Sequence, residues 1–468
     1  MIIIIMSKQF VNREKELQWL KKIYHEEKSS LIILYGRRRV GKTELIKQFS
    51  NDKNHIYFLA SMKPERENLL DLQKLMADHI QEKIFERIEF RGWEDLFHEF
   101  MKRAKKPLIV IDEFPYLIKK NKAIPSIFQK IWDENLKDQE VMLVLCGSSI
   151  GMMETQVLGY RSPLYGRRTG QWKVEPFTFR ELAEFFPGFS FDERLKFYSF
   201  LDGIPEYVNK MDLQKNPEWN LKNRFFKKGE YLYEEAENLL RQEFREPSNY
   251  FSILHAVSEG NTRYGDICNK TGFSQSLVSQ YMKNLIDLRV VKKEFPTTQK
   301  KESRNALYSL ADNYYDFWFE FVYPYRSLIE EDKQETLMTT IDERLRIHYS
   351  SIFERVCRAA IWHFPEHFDR VGRWWHGEDE IDVVGVNEKE KIILLGECKW
   401  SKKVVGKDLL ADLEQKSEKV NWKIGKRTER FVLFSKSGFT EELKDIADTR
   451  KNVELFTGEQ IDSLLNRK

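Results

Sequence analysis

The sequence predicts an α/β protein whose N-terminal part contains a parallel sheet flanked by helices. Residues 7 to 175 alternate short apolar runs with amphipathic stretches, which is the order expected for βα units. The runs are apolar throughout, as in strands buried on both faces. A glycine-rich segment ending in Lys-Thr follows the first run. The candidate strands are Leu31–Tyr35, His55–Ala60, Leu108–Ile111 and Val141–Cys146.

The composition is that of a folded chain with more than one core. It has 468 residues, of which 41% are hydrophobic and 32% are charged. This excludes a disordered protein. The formal net charge is only +3, so any contact with DNA must come from a local basic patch. The apolar opening, Met1–Met6, is too short to span a bilayer and fits an edge strand or a mis-set start. Four scattered cysteines form no CxxC pair, so we expect reduced thiols, neither zinc nor disulfides, and a cytoplasmic protein without membrane contact.

The glycine-rich segment has the spacing of a phosphate-binding loop. It lies between a candidate strand and the helical pattern Glu44–Phe49, the context that this motif requires. Its glycines let backbone N–H groups surround a phosphate, and the next helix directs its positive end at the same anion. ATP with Mg²⁺ is therefore the predicted cofactor, with Lys42 on the β- and γ-phosphates and Thr43 on the metal. The predicted loop residues are Gly36, Arg37, Arg38, Arg39, Val40, Gly41, Lys42 and Thr43.

Acidic and polar residues follow two later candidate strands. Asp112 and Glu113 end the run Leu108–Ile111, which predicts one carboxylate for Mg²⁺ and one to activate water. We assign Asp112 to the metal and Glu113 to the general base. Ser148 or Ser149, after the run Val141–Cys146, is a candidate γ-phosphate sensor, and a simple loop serine is the alternative.

A basic turn at Arg167 and Arg168 is a candidate arginine finger. An arginine at the γ-phosphate stabilises the charge that develops during phosphoryl transfer. Arg167 or Arg168 would act in cis, or from a neighbouring subunit of a homo-oligomer. A surface turn without a catalytic role is the competing interpretation.

Several motifs together resemble a known family. They are Phe10–Leu17, Tyr35–Thr43, Ile111–Phe114, Gly147–Ser149, Leu164–Arg167 and Gly203–Tyr207. With them the chain is similar, over nearly its whole length, to the archaeal-type P-loop ATPases of the STAND branch of AAA-related ATPases. The resemblance implies an ATP-driven switch with a helical lid, often followed by a winged helix and a domain similar to restriction-type nucleases. It also implies that Phe10–Arg13 lies near the adenine.

A winged helix is predicted within residues 246–325. Helical patterns at Tyr250–Glu259, Arg263–Lys270 and Ser274–Leu288 precede a hairpin pattern at Val290–Phe295 and Ala306–Leu310. Such a third helix can enter a major groove, although many winged helices only pack against other domains. Its exposed candidates are Gln275, Ser276, Gln280 and Lys283. The predicted basic wing consists of Lys292, Lys293, Lys300, Lys301 and Arg304.

The region 340–468 contains two apolar strands joined by a polar turn. Period-two alternation places Glu397 and Lys399 on one face, where Asp382 of the partner strand meets them. Asp382 and Glu397 can hold Mg²⁺ while Lys399 positions water; a plain salt bridge is the alternative. The pattern and the family resemblance favour a nuclease-like site, with Glu354 as an extra acid. Arg373, Trp374 and Trp375 either contact nucleic acid or pack.

The complete prediction has four parts. These are a P-loop ATPase core over 1–175, a helical lid over 176–245, a winged helix over 246–325 and a restriction-nuclease-like α/β domain over 340–468. The expected function is a MgATP-hydrolysing switch that acts on DNA, with or without metal-dependent cleavage. A non-nucleolytic regulator and a scaffold for protein partners are the alternatives.

Overall fold

The computed structural model describes residues 10–26, 28–244, 246–299 and 305–466. The chain divides into two compact units. The first extends to Phe177 and includes Ile204–Glu206, and the second contains Thr178–Gly203 and the chain from Tyr207 onward. The borders predicted inside the second unit stay predictions. Met1–Met6 and three predicted wing residues lie outside the described residues; the latter are Lys300, Lys301 and Arg304.

The described residues of the first unit contain a parallel five-stranded sheet in the order β2-β3-β4-β1-β5. Its strands are β1 (Ser30–Tyr35), β2 (His55–Leu59), β3 (Leu108–Asp112), β4 (Met142–Gly147) and β5 (Gly170–Lys173). The first four confirm the predicted strands. The fifth was missed because its sequence, Gly-Gln-Trp-Lys, is partly exposed and has no apolar run.

Helices cover this sheet. They are α1 (Glu14–Tyr24), α2 (Lys42–Ser50), α3 (Glu65–Ile80), α4 (Trp93–Met101), α5 (Phe114–Lys120), α6 (Ile124–Ile131) and α7 (Ile150–Met152). Strands β1, β3 and β4 are buried along their whole length. The apolar sheet therefore holds the carboxyl ends of β1, β4 and β3 side by side.

The second unit begins with short helices and a three-helix segment. The first group is α8 (Phe179–Leu182), α9 (Phe191–Leu201), α10 (Pro205–Val208, which begins in the first unit), α11 (Pro217–Asn220) and α12 (Tyr231–Glu243). The three-helix segment and its hairpin are α13 (Ser248–Ser258), α14 (Tyr264–Thr271), α15 (Gln275–Asp287), β6 (Val291–Glu294) and β7 (Leu307–Leu310). The hairpin is antiparallel, so this segment has the predicted order of a winged helix.

The rest of the second unit contains a second sheet, which has parallel and antiparallel strands. The helices of this part are α16 (Asn313–Phe317), α17 (Arg326–Glu330), α18 (Gln334–Ala360), α19 (Lys407–Glu418), α20 (Glu441–Thr449) and α21 (Gly458–Leu465). The strands, which follow the long helix α18, are β8 (Arg370–His376), β9 (Asp379–Asn387), β10 (Ile392–Lys399), β11 (Thr428–Ser435) and β12 (Val453–Thr457). Among the described residues the order is β12-β11-β10-β9-β8, and β9 and β10 form the predicted antiparallel hairpin.

Candidate functional site

The loop between β1 and α2 curls tightly around its glycines. A Cβ atom on Gly36 would lie 2.2 Å from the carbonyl oxygen of Val174, so no larger residue fits without a backbone shift. Gly41 has a φ of 93°, in the region that favours glycine. Pro205 packs on this glycine, 3.6 Å from the position of an added Cβ. The loop is therefore packed by the Val174 backbone at Gly36 and by the Pro205 side chain at Gly41.

Lys42 is the first residue of α2 and is buried. Its Nζ donates to the carbonyl oxygens of Gly36 and Arg37, both at 2.9 Å. Burial lowers the pKa of Lys42 from its ordinary value. The ammonium thus lies inside the loop that the sequence predicted to hold phosphates.

Asp112, at the end of β3, is a buried carboxylate with several donors. The Thr43 hydroxyl donates to its Oδ2 at 2.9 Å, and the Tyr57 hydroxyl donates to the same oxygen at 2.6 Å. The backbone N–H of Glu113 donates to Oδ1 at 2.9 Å. Burial, followed by the bond to Asp112, raises the pKa of Tyr57. Sequence reasoning missed Tyr57, because only the pairing of β2 with β3 brings it to this carboxylate.

Glu113 and Ser148 meet at the neighbouring ends of β3 and β4. The Ser148 hydroxyl lies 2.6 and 2.7 Å from the two carboxylate oxygens of Glu113. Glu113 has a φ of 54°, an uncommon value for a residue with a side chain. Strained backbone often occurs at functional positions. Of the two predicted serines, Ser148 is the one bonded to the acidic pair.

Arg13 lies beneath the phosphate-binding loop. Its guanidinium donates to the carbonyl oxygens of Val40, at 3.1 Å, and Glu175, at 2.8 Å. It also stacks 4.0 Å above the ring of Phe177. Arg13 therefore links the segment predicted to lie near the adenine with the loop itself.

The remaining arginines of the prediction have protein partners. Arg38 donates to the Tyr116 hydroxyl at 3.1 Å. The Arg167 Nε lies 2.9 and 3.1 Å from the carboxylate oxygens of Asp133, and its Nη1 donates to the Pro163 carbonyl oxygen. In this structure Arg167 is thus engaged by Asp133, and its assignment as an arginine finger stays a prediction. Arg168 stacks on Tyr165.

Helix α15 presents a polar face. The Ser274 hydroxyl accepts from the N–H of Leu277, as predicted for an N-cap. Val278, Met282 and Leu285 are buried. The predicted readout residues Gln275, Ser276, Gln280 and Lys283 are exposed.

The two described lysines of the predicted wing differ in their surroundings. Lys293 is exposed and lies over the rings of Phe295 and Tyr308. Lys292 approaches Glu294 at 3.3 Å and lines a cavity. Its side chain therefore has an acidic partner within the hairpin itself.

A second acidic cluster lies on β9, β10 and α18. The buried Glu397 bonds through Oε1 to Lys416 Nζ at 3.0 Å, while Lys399 Nζ lies 3.9 Å from its Oε2. Burial and the adjacent Asp382 raise the pKa of Glu397 to about 7. Sequence reasoning missed Lys416. This lysine lies on α19, and the path of the loop between β10 and α19 cannot be predicted from the sequence.

Glu354 of α18 belongs to the same cluster. Burial and Asp382 raise the pKa of Glu354 to about 7, although Arg358 lies 3.7 Å away. Asp382 Oδ2 accepts from the N–H of Cys398 at 2.9 Å. Among the described residues, no group of three or more His, Cys, Asp or Glu side chains is arranged to hold a metal ion. The pair Asp382 and Glu397 as a Mg²⁺ site stays a prediction.

The segment before β9 combines one charged and two packed side chains. Arg373 bonds to Glu380 at 3.0 Å and to Glu294 at 3.4 Å. Trp374 and Trp375 are buried. Of the two interpretations left open for these tryptophans, the structure supports packing.

No helix within the described ranges is long and apolar enough to cross a membrane.

The strand–loop–helix arrangement around Lys42 and the acidic pair at the end of β3 define the class of protein, a P-loop ATPase. A family model described as "ATPase domain predominantly from Archaea" matches residues 10–211. Residues 251–293 match "Bacterial regulatory protein, arsR family", a helix-turn-helix model. Residues 318–419 match "Archaea bacterial proteins of unknown function".

Relatives come from archaea. An uncharacterized protein of Methanocaldococcus jannaschii is 36% identical over 426 residues, which are 88% of this chain and 92% of that protein. An uncharacterized ATP-binding protein of the same organism is 61% identical over 44 residues, 9% of this chain and 75% of that protein. A solved Walker-type ATPase of Pyrococcus abyssi covers 66% of this chain and 96% of its own, with 21% identity and a TM-score of 0.48. The chain belongs to the archaeal-type P-loop ATPase family and is an ATPase.

Proposed function

We propose that this ATPase is a MgATP-driven switch that acts on DNA. The nucleotide part rests on the meeting of Thr43, in the first turn of α2, with Asp112, Glu113 and Ser148 at the carboxyl ends of β3 and β4. The exposed polar face of α15 supports the DNA part. ATP hydrolysis would then change how the second unit engages nucleic acid.

Thr43 and Asp112 fit Mg²⁺. A hydroxyl and a carboxylate are hard oxygen donors of the kind that Mg²⁺ prefers, and these two lie 2.9 Å apart. Bound Mg²⁺ would neutralise charge on the β- and γ-phosphates. The Tyr57 hydroxyl shares Asp112 Oδ2, so Tyr57 is a positioning residue for this carboxylate.

Lys42 and Glu113 carry the protein's own part of the reaction. Lys42 exchanges the carbonyl oxygens of Gly36 and Arg37 for the phosphates of ATP. Glu113 acts as general base, orienting and deprotonating the attacking water. Ser148 bonds both oxygens of Glu113 and must release one to that water. Ser148 therefore couples the γ-phosphate end of the site to the base.

Replacing Glu113 tests the catalytic assignment. In Glu113→Gln we expect kcat for ATP hydrolysis to fall roughly 10²- to 10⁴-fold, the usual contribution of a general base. ATP binding should persist, because Lys42 and Thr43 are untouched. Steady-state phosphate release and nucleotide titration measure the two effects. Glu86→Gln, on an exposed glutamate of the same unit, is the control; a kcat near wild type in Glu113→Gln would reject the assignment.

Helix α15 provides the test for DNA. Lys283 is exposed near its middle, where a phosphate contact would release counterions. Lys283→Glu should weaken binding to duplex DNA and reduce the slope of log affinity against log salt by about one. Fluorescence anisotropy at several salt concentrations measures both. Lys451→Glu, on another exposed lysine, should bind like wild type; equal loss in both variants would indicate a general charge effect.

The cluster of Glu354, Asp382 and Glu397 favours a second candidate function, metal-dependent cleavage of nucleic acid. Its carboxylates are crowded enough to raise two pKa values to about 7, a property common at functional sites. Lys416 and Lys399 both face Glu397. Mg²⁺ at Asp382 and Glu397 would replace the Lys416 ammonium as the counter-charge.

A further inference from the structure

A polar cavity of about 370 Å³ lies within the second unit, well apart in sequence from the phosphate-binding loop. Its wall is formed by the end of α13, the hairpin β6–β7, the long helix α18 and strand β8. The volume is within the range of small-ligand sites. Basic side chains on the wall are Lys292, Arg344, His348, Arg355, Arg358 and Arg373.

Helix α18 supplies most of these groups from one face. Arg344, His348, Ser351, Arg355 and Arg358 follow each other at intervals of three or four residues, which places them on one side of a helix. His348 is almost completely buried. The helix therefore turns a basic stripe toward the hairpin of the winged helix.

The acidic side chains on the wall are shared between these basic groups. Glu320 lies 3.4 Å from Arg344 and 3.2 Å from His348 Nδ1. Although burial opposes it, the bond to Glu320 raises the pKa of His348. Asp316 forms an ion pair with Arg355 at 2.8 Å. Two carboxylates thus face three bases in this half of the cavity.

In the other half, one carboxylate of the wall, Glu294, faces two bases. Glu294 lies 3.3 Å from Lys292 and 3.4 Å from Arg373, which also reaches Glu380. Burial and the neighbouring Arg355 lower the pKa of Lys292 to about 8. The lower pKa follows mainly from the removal of water around the ammonium, and the Arg355 guanidinium adds to it.

The remaining acids do little to restore the balance. Glu259 bonds at 2.8 Å to Lys270, which is not part of the wall. Glu354 lies 3.7 Å from Arg358 and so offsets a single base of the wall. The wall therefore has six basic side chains against five acidic ones, and one of those acids is engaged by a lysine outside the wall.

We propose that this cavity binds the phosphate of a nucleotide, either free or at the end of a DNA strand. Guanidinium groups pair with phosphate through two hydrogen bonds, and a lysine adds a point charge. The space exceeds that of inorganic phosphate and leaves room for a nucleoside. The site belongs to the second unit, whereas the P-loop belongs to the first, and its wall shares Glu354 with the acidic cluster of Asp382 and Glu397.

Lys292 reports on this site alone. Because its pKa is lowered to about 8, its amine is reactive at pH 8, and a bound phosphate should protect it. The full chain would be treated with an acylating reagent in the presence of thymidine 5′-monophosphate, of a 5′-phosphorylated oligothymidine, or of their unphosphorylated counterparts. The labelled lysines would then be mapped by mass spectrometry. Exposed Lys293 on the same hairpin is the internal control.

We expect the phosphorylated probes to slow labelling of Lys292 at least severalfold and to leave Lys293 unchanged. Protection by the monophosphate identifies a free nucleotide, and protection by the oligonucleotide alone identifies a strand end. Equal labelling of Lys292 with and without every phosphorylated probe would overturn the proposal.

Two substitutions separate binding from structure. Glu294→Gln removes the carboxylate that competes for Lys292 and Arg373, so binding of the protecting probe should tighten severalfold. Arg358→Gln should weaken it roughly tenfold, because a charge-assisted pair is lost. Titration and thermal melting are measured together. If Glu294→Gln lowers the melting temperature without tightening binding, the network is structural and the proposal fails, even where Arg358→Gln does not fold.

Discussion

At the scale of single residues, the nucleotide site depends on a few shared oxygens. Asp112 accepts from Thr43, from Tyr57 and from the backbone of Glu113. A buried carboxylate is tolerated only when it is bonded in this way. Glu113 is bonded in the same way, because the Ser148 hydroxyl lies within hydrogen-bond distance of both of its carboxylate oxygens. Each of these acids is therefore held in place by donors of the protein itself.

Gly36 allows a residue-scale prediction. In Gly36→Ala the new Cβ would lie 2.2 Å from the Val174 carbonyl oxygen, so the loop must shift. We expect loss of ATP binding and a lower melting temperature, measured by nucleotide titration and calorimetry. Gly265→Ala is the matched control, since its Cβ meets open space in α14. Alanine there should stabilise by up to about 0.5–1 kcal/mol. Normal ATP binding in Gly36→Ala would contradict the steric argument.

At the scale of elements, strand ends and one long helix place the functional groups. The carboxyl ends of β1, β4 and β3 lie side by side, which brings Lys42, Asp112 and Ser148 to one edge of the sheet. Helix α18 carries both its basic stripe and Glu354 on the cavity wall, and Glu354 also belongs to the acidic cluster. Burial of α18 along its apolar positions keeps both groups in place.

Glu354 on α18 gives a pH prediction. Its folded-state pKa is raised to about 7, so the folded chain holds more protons than the unfolded chain between about pH 4.5 and 7. Stability from this group is therefore lost as pH rises through that window. Glu354→Gln should raise the melting temperature at pH 8 and change it little at pH 5. Glu441→Gln, on an exposed glutamate, should show no such difference between the two pH values.

At the scale of the whole molecule, the two candidate chemistries lie in separate compact units. Lys42 belongs to the first unit, and Glu397 and Lys399 belong to the second. Each unit has its own core, built around its own sheet. Substitutions at one site should therefore leave the local geometry of the other intact.

Parallel assays test this separation. Lys42→Ala should abolish ATP hydrolysis, whereas Lys399→Ala should keep it and lose cleavage of plasmid DNA with Mg²⁺ or Mn²⁺. The reason is that Lys399 lies 3.9 Å from Glu397 in the second unit, whereas ATP hydrolysis depends on Lys42 in the first. ATPase and cleavage assays on wild type and both variants measure the outcome. If no variant and no wild type cleaves while Lys42→Ala alone loses ATPase activity, the second unit is a binding module, as in a non-nucleolytic regulator or a scaffold.

The sequence by itself determined the elements whose chemistry is local. The phosphate-binding loop, the Asp-Glu pair after β3, the N-cap at Ser274 and the β9–β10 hairpin follow from neighbouring residues, because strand burial and turn geometry are written in short segments. Period-two alternation likewise predicted that Glu397 and Lys399 share a face.

Only the tertiary structure decided which distant groups meet. Several contacts join residues that are far apart in the chain. They are the pairs Tyr57 with Asp112, Lys416 with Glu397 and Arg167 with Asp133, and the cavity that Lys292 lines together with the α18 arginines. Strand order and helix packing bring them together, and no local pattern encodes either. The same packing set the pKa values of Glu354 and Glu397, because burial and a neighbouring charge exist only in the folded chain.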